Sequence, residues 1–121
     1  MSSIPNEEQV GLFFELVNRR DLARLGDLLA EDAEFYFPKT KPLIGRDRII
    51  KFFNILFRRF PRLRFQVQGQ VVQGDRAAVH WTNEGVNRDG EAYQNEGMTL
   101  LEISSGKIRY ISDFFKDTGK F

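Results

Sequence analysis

Asp113 lies in Lys107-Ile108-Arg109-Tyr110-Ile111-Ser112-Asp113-Phe114-Phe115, a run of strand-forming residues. A carboxyl among aromatics is costly to remove from water, so it must be paired, kept protonated or used in chemistry. A second strand-like run carries His80, Thr82 and Glu84 at alternate positions, which places all three on one face. If that face meets Asp113, Glu84 and Asp113 would push one proton affinity upward and separate an acid from a base. His80 is the alternative base. The bland readings are a strand histidine that is merely packed or solvated, and an Asp113 that only bonds backbone amides.

Further residues could line a ligand site. Asn95, Gly97 and Thr99 share one strand face, where Asn95 could orient a carbonyl or a water. Phe13, Phe35, Phe37, Phe53 and Phe115 would supply apolar walls, or equally a plain core. The composition favours either, with 12 Phe against 3 Tyr and 1 Trp. Zero cysteines and one histidine remove thiolate chemistry and cysteine or histidine metal sites, so neither metal nor cofactor is expected.

The elements that must position these residues follow from periodicity. In 121 residues there is room for one domain, residues 1–121. Asn6 followed by Gln9 reads as a helix cap, and Val10, Phe13, Phe14 and Val17 as the buried stripe behind it. Asp21 caps a second helix bearing Leu22, Leu25, Leu28 and Leu29. Ala33 to Phe37 reads as a short strand, and Asp47 as the cap of a third helix that Pro61 stops. Beyond Pro61 the period becomes two. Leu63 to Val72, Ala77 to Asn87, Tyr93 to Ile103 and Lys107 to Phe115 are four strands separated by glycine-containing turns. Helices followed by an antiparallel meander predict an α+β roll, three helices packed on a curved sheet.

This order, with Glu15-Leu16-Val17-Asn18, Ala30-Glu31-Asp32-Ala33, Gly45-Arg46-Asp47 and Gly106-Lys107-Ile108 in place, resembles the nuclear transport factor 2-like superfamily. That superfamily includes SnoaL-like cyclases, ketosteroid isomerases and limonene-epoxide hydrolases. The resemblance implies a cone with a hydrophobic pocket and a homodimer formed through the outer sheet face. It also implies what is missing. The isomerase tyrosine, base and protonated-aspartate positions fall on Phe13, Phe37 and near Thr99. The epoxide hydrolase set falls on Thr82, Glu84 and Asp113, without its arginine. The looser similarity to SnoaL-like cyclases, which use an acidic residue near the last strand, remains.

The alignment places His80, Thr82 and Glu84 inside and Trp81 on the outer face. Hydrophobicity alone favours the reverse, with Val79 and Trp81 in the core. Two-residue alternation groups Arg109, Ile111 and Phe115 with Asp113. The expected function is acid–base chemistry on a small, mostly apolar or aromatic metabolite, or non-catalytic binding of one. The net charge of +1 gives no pull toward nucleic acid, and Arg58 to Arg64 reads as a solvated helix end. Neither a signal peptide nor a membrane span is apparent, so the expected location is the cytoplasm.

Overall fold

Val10, Phe13, Phe14 and Val17 do form one buried stripe, on helix α1 (Asn6–Arg19). A computed structural model of the chain describes residues 6–120. Helix α2 (Leu22–Leu28) follows, capped by Asp21, whose carboxylate accepts from the Arg24 N–H at 3.2 Å. Asn6 is the first helical residue rather than the cap, and its side-chain amide donates to the Gly74 carbonyl. Helix α3 (Arg46–Arg59) buries Ile49, Phe53 and Leu56. Its N-cap is Gly45, at φ 104°, so the expected Asp47 cap lies two residues on, within the first turn.

The strands are β1 (Leu29–Tyr36), β2 (Leu43–Ile44), β3 (Arg64–Gln73), β4 (Arg76–Val86), β5 (Ala92–Ser104) and β6 (Lys107–Phe115). They form one sheet in the order β2-β1-β6-β5-β4-β3. All neighbours are antiparallel except β1 and β6, which run parallel. β1 starts earlier than Ala33, and β2 is a two-residue strand that pairs Ile44 with Glu34 and Leu43 with Phe35. The three helices cover one face, which is therefore the inner one.

Burial along β4 alternates strictly, with Val79, Trp81 and Asn83 inside. The register carries that face to Thr99, Gly97 and Asn95 on β5, and on to Asp113 and Phe115 on β6. Expected and observed faces therefore differ on β4. Trp81 is fully buried, because an indole removed from water outweighs any benefit of burying an imidazole and a carboxylate. Arg109 also leaves the face expected for it. The ladder slips between Glu102 and Ile103, so Arg109 is the extra residue of a bulge and is exposed.

Candidate active site

The inner face carries a chain of three hydrogen-bonded side chains, one from each of three adjacent strands. The Trp81 Nε1–H donates to Thr99 Oγ1 at 2.8 Å, and the Thr99 hydroxyl donates to Asp113 Oδ1 at 2.6 Å. An indole N–H can only donate, so it fixes the direction of the chain: the hydroxyl hydrogen is left for the carboxyl. Thr99 and Trp81 are buried and Asp113 is half-buried. Among the described residues, Thr99 is the one hydrogen-bond partner of Asp113, and no cation neutralises it. Burial raises its pKa to about 7, against the smaller lowering effect of the Thr99 bond. Near neutrality this carboxyl is therefore divided between acid and base forms.

Aromatic residues flank it on the same face. Tyr36 is in register with Ser112, which brings Phe37 one step on, beside Asp113. The Phe115 ring meets Phe37 at 5.1 Å and Trp81 at 4.8 Å between centroids. Both phenylalanines line a small internal void of about 10 Å³, with Leu56, Phe60, Leu63, Phe65, Asn83 and Tyr93. That is scarcely room for one water. An open groove of about 1160 Å³ at the end of the β4–β5 hairpin shares Phe60 and Tyr93 with the void. These two rings, 4.9 Å apart, form the partition between groove and interior.

The SnoaL-like domain model matches residues 10–111. The chain belongs to the SnoaL-like domain family. Its fold is that of the nuclear transport factor 2-like proteins, three helices on a six-stranded, mostly antiparallel sheet. A nuclear transport factor 2-like protein of unknown function from Burkholderia pseudomallei K96243 superposes with a TM-score of 0.86 at 21% identity, covering 96% of this chain and 92% of that one. A candidate SnoaL-like polyketide cyclase from Jannaschia sp. CCS1 gives 0.80 at 22%, with 96% and 91% covered. A protein from Catenulispora acidiphila with a ketosteroid isomerase-like fold, in complex with trimethylamine, gives 0.82 at 16%, with 88% and 84% covered. No curated protein is significantly similar in sequence.

Within this SnoaL-like domain the expected site residues divide. Asp113 and Thr99 are brought together, and Phe37 and Phe115 wall the void. His80, Thr82 and Glu84 are a correction: they lie on the outer face, away from Asp113. His80 Nε2 pairs with Glu96, which also meets Lys116 at 3.3 Å, and these contacts hold the Glu96 carboxyl below its ordinary pKa. Thr82 accepts from the Gln68 amide, and Glu84 is exposed. Phe13, Phe35 and Phe53 are likewise corrected from pocket walls to core, since they pack on one another and on Phe14 and Phe52.

Asn95 reaches the inner face but has its amide fully engaged. It donates to the Asp117 carbonyl and the Tyr93 hydroxyl, and accepts from the N–H groups of Glu96 and Asp117. It is a clamp on the segment after β6. Trp81, Asn83 and Tyr93 were not among the expected site residues. The alternation Val79-Trp81-Asn83 was the signal for the first two, once Trp81 is placed inside. Among the described residues no cluster of three or more histidines or carboxylates could hold a metal, and no helix is long and apolar enough to cross a membrane.

Proposed function

We propose that this protein is an enzyme of proton-transfer chemistry, such as isomerisation, cyclisation or hydrolysis, acting on a small, mostly apolar molecule without a cofactor. Asp113 is its acid–base group. The observation that carries this reading is a carboxyl on the helix-covered face, bonded to one neutral hydroxyl, with no cation paired to it among the described residues and with Phe37 and Phe115 as neighbours on that face. With its affinity raised to about 7, such a carboxylate is a stronger base than an ordinary one and still returns the proton readily. Thr99 and Trp81 are positioning residues that hold one carboxyl oxygen and leave the other for substrate. Asp113 works alone, because the inner positions of β4, β5 and β6 hold no second carboxyl or imidazole. This differs from the isomerase and epoxide hydrolase arrangements, whose tyrosine, base and arginine positions carry Phe13, Phe37 and Thr82 here.

Substrate enters from the groove by turning Phe60 aside from Tyr93. The test is solvent-deuterium exchange, followed by NMR, into a panel of cyclic ketones and hydroxyaromatic compounds. Exchange should rise with pH through a midpoint near 7 and be lost in Asp113→Asn. Unchanged exchange in that variant removes Asp113 from the mechanism. A second reading, a non-catalytic ligand-binding module, is favoured by the near-closure of the void. Saturable binding with no exchange on any panel member would select it.

The proposed assembly is a homodimer through the outer sheet face. There Val71, Met98 and Phe114 are exposed, Phe114 by 58%; Met98 and Phe114 are paired across β5 and β6, and Val71 lies beyond β4 on β3. Phe114→Glu is expected to keep the fold and convert a dimer to a monomer in sedimentation equilibrium. An unchanged mass would place any interface elsewhere.

A further inference from the structure

Arg20 stands where the end of helix α1 calls for glycine. Its N–H donates to the Val17 carbonyl and the Asp21 N–H to the Leu16 carbonyl, both at 3.1 Å, and its φ is 61°. This pair of bonds around a left-handed residue is the Schellman ending of a helix, and glycine fills that position without strain. An arginine there strains the backbone, so its side chain must offset that strain elsewhere.

The guanidinium reaches the turn that ends helix α3. Nη2 donates to the Pro61 carbonyl at 2.8 Å and, at the longer distance of 3.5 Å, to the Phe60 carbonyl. The group also lies 4.2 Å from the centre of the Phe57 ring. A cation suits the carbonyl end of a helix and the face of an aromatic ring. Two costs oppose these contacts. Nη1 is buried without a hydrogen-bond partner, and among the described residues no carboxylate pairs with Arg20. Burial accordingly lowers its pKa below the ordinary arginine value. Both costs disappear when the guanidinium returns to water, so this contact releases more easily than a buried ion pair.

The turn it holds is the one that closes the interior. The Phe60 N–H donates to the Leu56 carbonyl, the Phe60 carbonyl accepts from the Leu63 N–H, and the Phe60 ring meets Tyr93 as the partition from the groove. The far side of the turn is pinned, because Gly85 packs so closely that a Cβ on it would stand 2.9 Å from the Leu63 Cα. Phe60 and Pro61 are therefore the part with freedom to move, and Arg20 ties them to the corner between α1 and α2. We infer that Arg20 is a releasable latch: bonded to the Phe60–Pro61 turn it keeps the partition shut, and released into solvent it lets Phe60 leave Tyr93 and opens the interior. Its purpose rests on the proposed entry of substrate past Phe60, but the latch is tested without substrate.

The single tryptophan reports the opening. Trp81 is fully buried and touches Phe65 and Phe115, both of which line the void behind Phe60. Acrylamide quenching of its emission reads how often a small neutral molecule gains entry. Arg20→Gly removes the side chain and fits the left-handed backbone, so circular dichroism and the urea midpoint should show an intact fold. Arg20→Asn also tolerates that backbone and is too short to reach the turn. Quenching is expected to rise roughly fivefold or more in both, the weight of one lost hydrogen bond in an opening equilibrium. Ile108→Val weakens the core at the end of β5 and β6 remote from Tyr93, and should leave quenching at the parent level. Parent-level quenching in whichever Arg20 variant folds overturns the latch and leaves Asp113 chemistry standing. An equal rise in Ile108→Val also overturns it, since the whole fold would then be loosening. A rise confined to the Arg20 variants supports the latch, even if no panel compound undergoes exchange and the enzymatic reading falls.

Discussion

Asp113→Asn is expected to be more stable than the parent chain at alkaline pH, with the advantage disappearing in acid. In the folded state the carboxyl keeps its proton up to about 7, whereas unfolding returns it to an ordinary value near 3.8. Between those values the folded chain binds more protons than the unfolded one. Stability therefore falls as pH rises across that window and levels off above it. The window spans about three pH units at ~1.4 kcal/mol each, so the ionised carboxyl costs on the order of 4 kcal/mol at most. Asparagine stays neutral and can still accept from Thr99, so the variant escapes that fall. Urea midpoints measured at both ends of the window check this. A constant difference between the two chains at both ends would show that Asp113 is not held protonated by its surroundings. The same substitution is expected to abolish exchange chemistry, so gained stability and lost turnover should appear together.

The second large effect is expected at Gly97. It is the residue of β5 directly opposite Trp81, and the indole lies over it. A Cβ at this position would stand 2.4 Å from the Phe114 carbonyl oxygen and 2.7 Å from two carbons of the six-membered indole ring. Neither neighbour can yield easily. The carbonyl belongs to the strand next in the ladder, and the indole is fully buried and tied to Thr99 through its N–H. Gly97→Ala should therefore destabilise by more than about 3 kcal/mol, at or beyond the upper end of ordinary overpacking. Trp81→Phe withdraws the clashing ring atoms. The double variant should consequently lose less than the sum of the two single losses, which a double-mutant cycle measures. A loss below about 1 kcal/mol for Gly97→Ala would mean that the indole is not fixed against β5.

The helices and long strands were legible because their periods are unambiguous. Val10, Phe13, Phe14 and Val17 can share a face only on a helix, and Pro61 marks the change to a period of two. β2 was not legible, since Leu43 and Ile44 are too few to show a period and are held as a strand by pairing with β1. The inner face of β4 was misassigned although its alternation was plain. Superfamily alignment favoured His80 and Glu84, and transfer energy favoured Trp81; the transfer energy prevailed. Arg109 was misplaced because counting by twos assumes an unbroken ladder, and a bulge intervenes. The Asn95 clamp was invisible in principle, as its partner Asp117 is 22 residues away. Asp113 could be singled out beforehand because a carboxyl in an apolar strand is conspicuous in any register.

The parallel neighbourship of β1 and β6 has a consequence for biosynthesis. Of the six strands β6 is the last to be synthesised, yet it lies in mid-sheet, with β1 on one flank and β5 on the other. Until residues 107–115 emerge, the nascent polypeptide carries two open edges and no template to join its halves. Productive folding is thus deferred until β6 has emerged and depends on contacts of long sequence separation, which form slowly and leave apolar edges waiting for partners. The strand that carries the Asp113 carboxyl is also the one that closes the sheet.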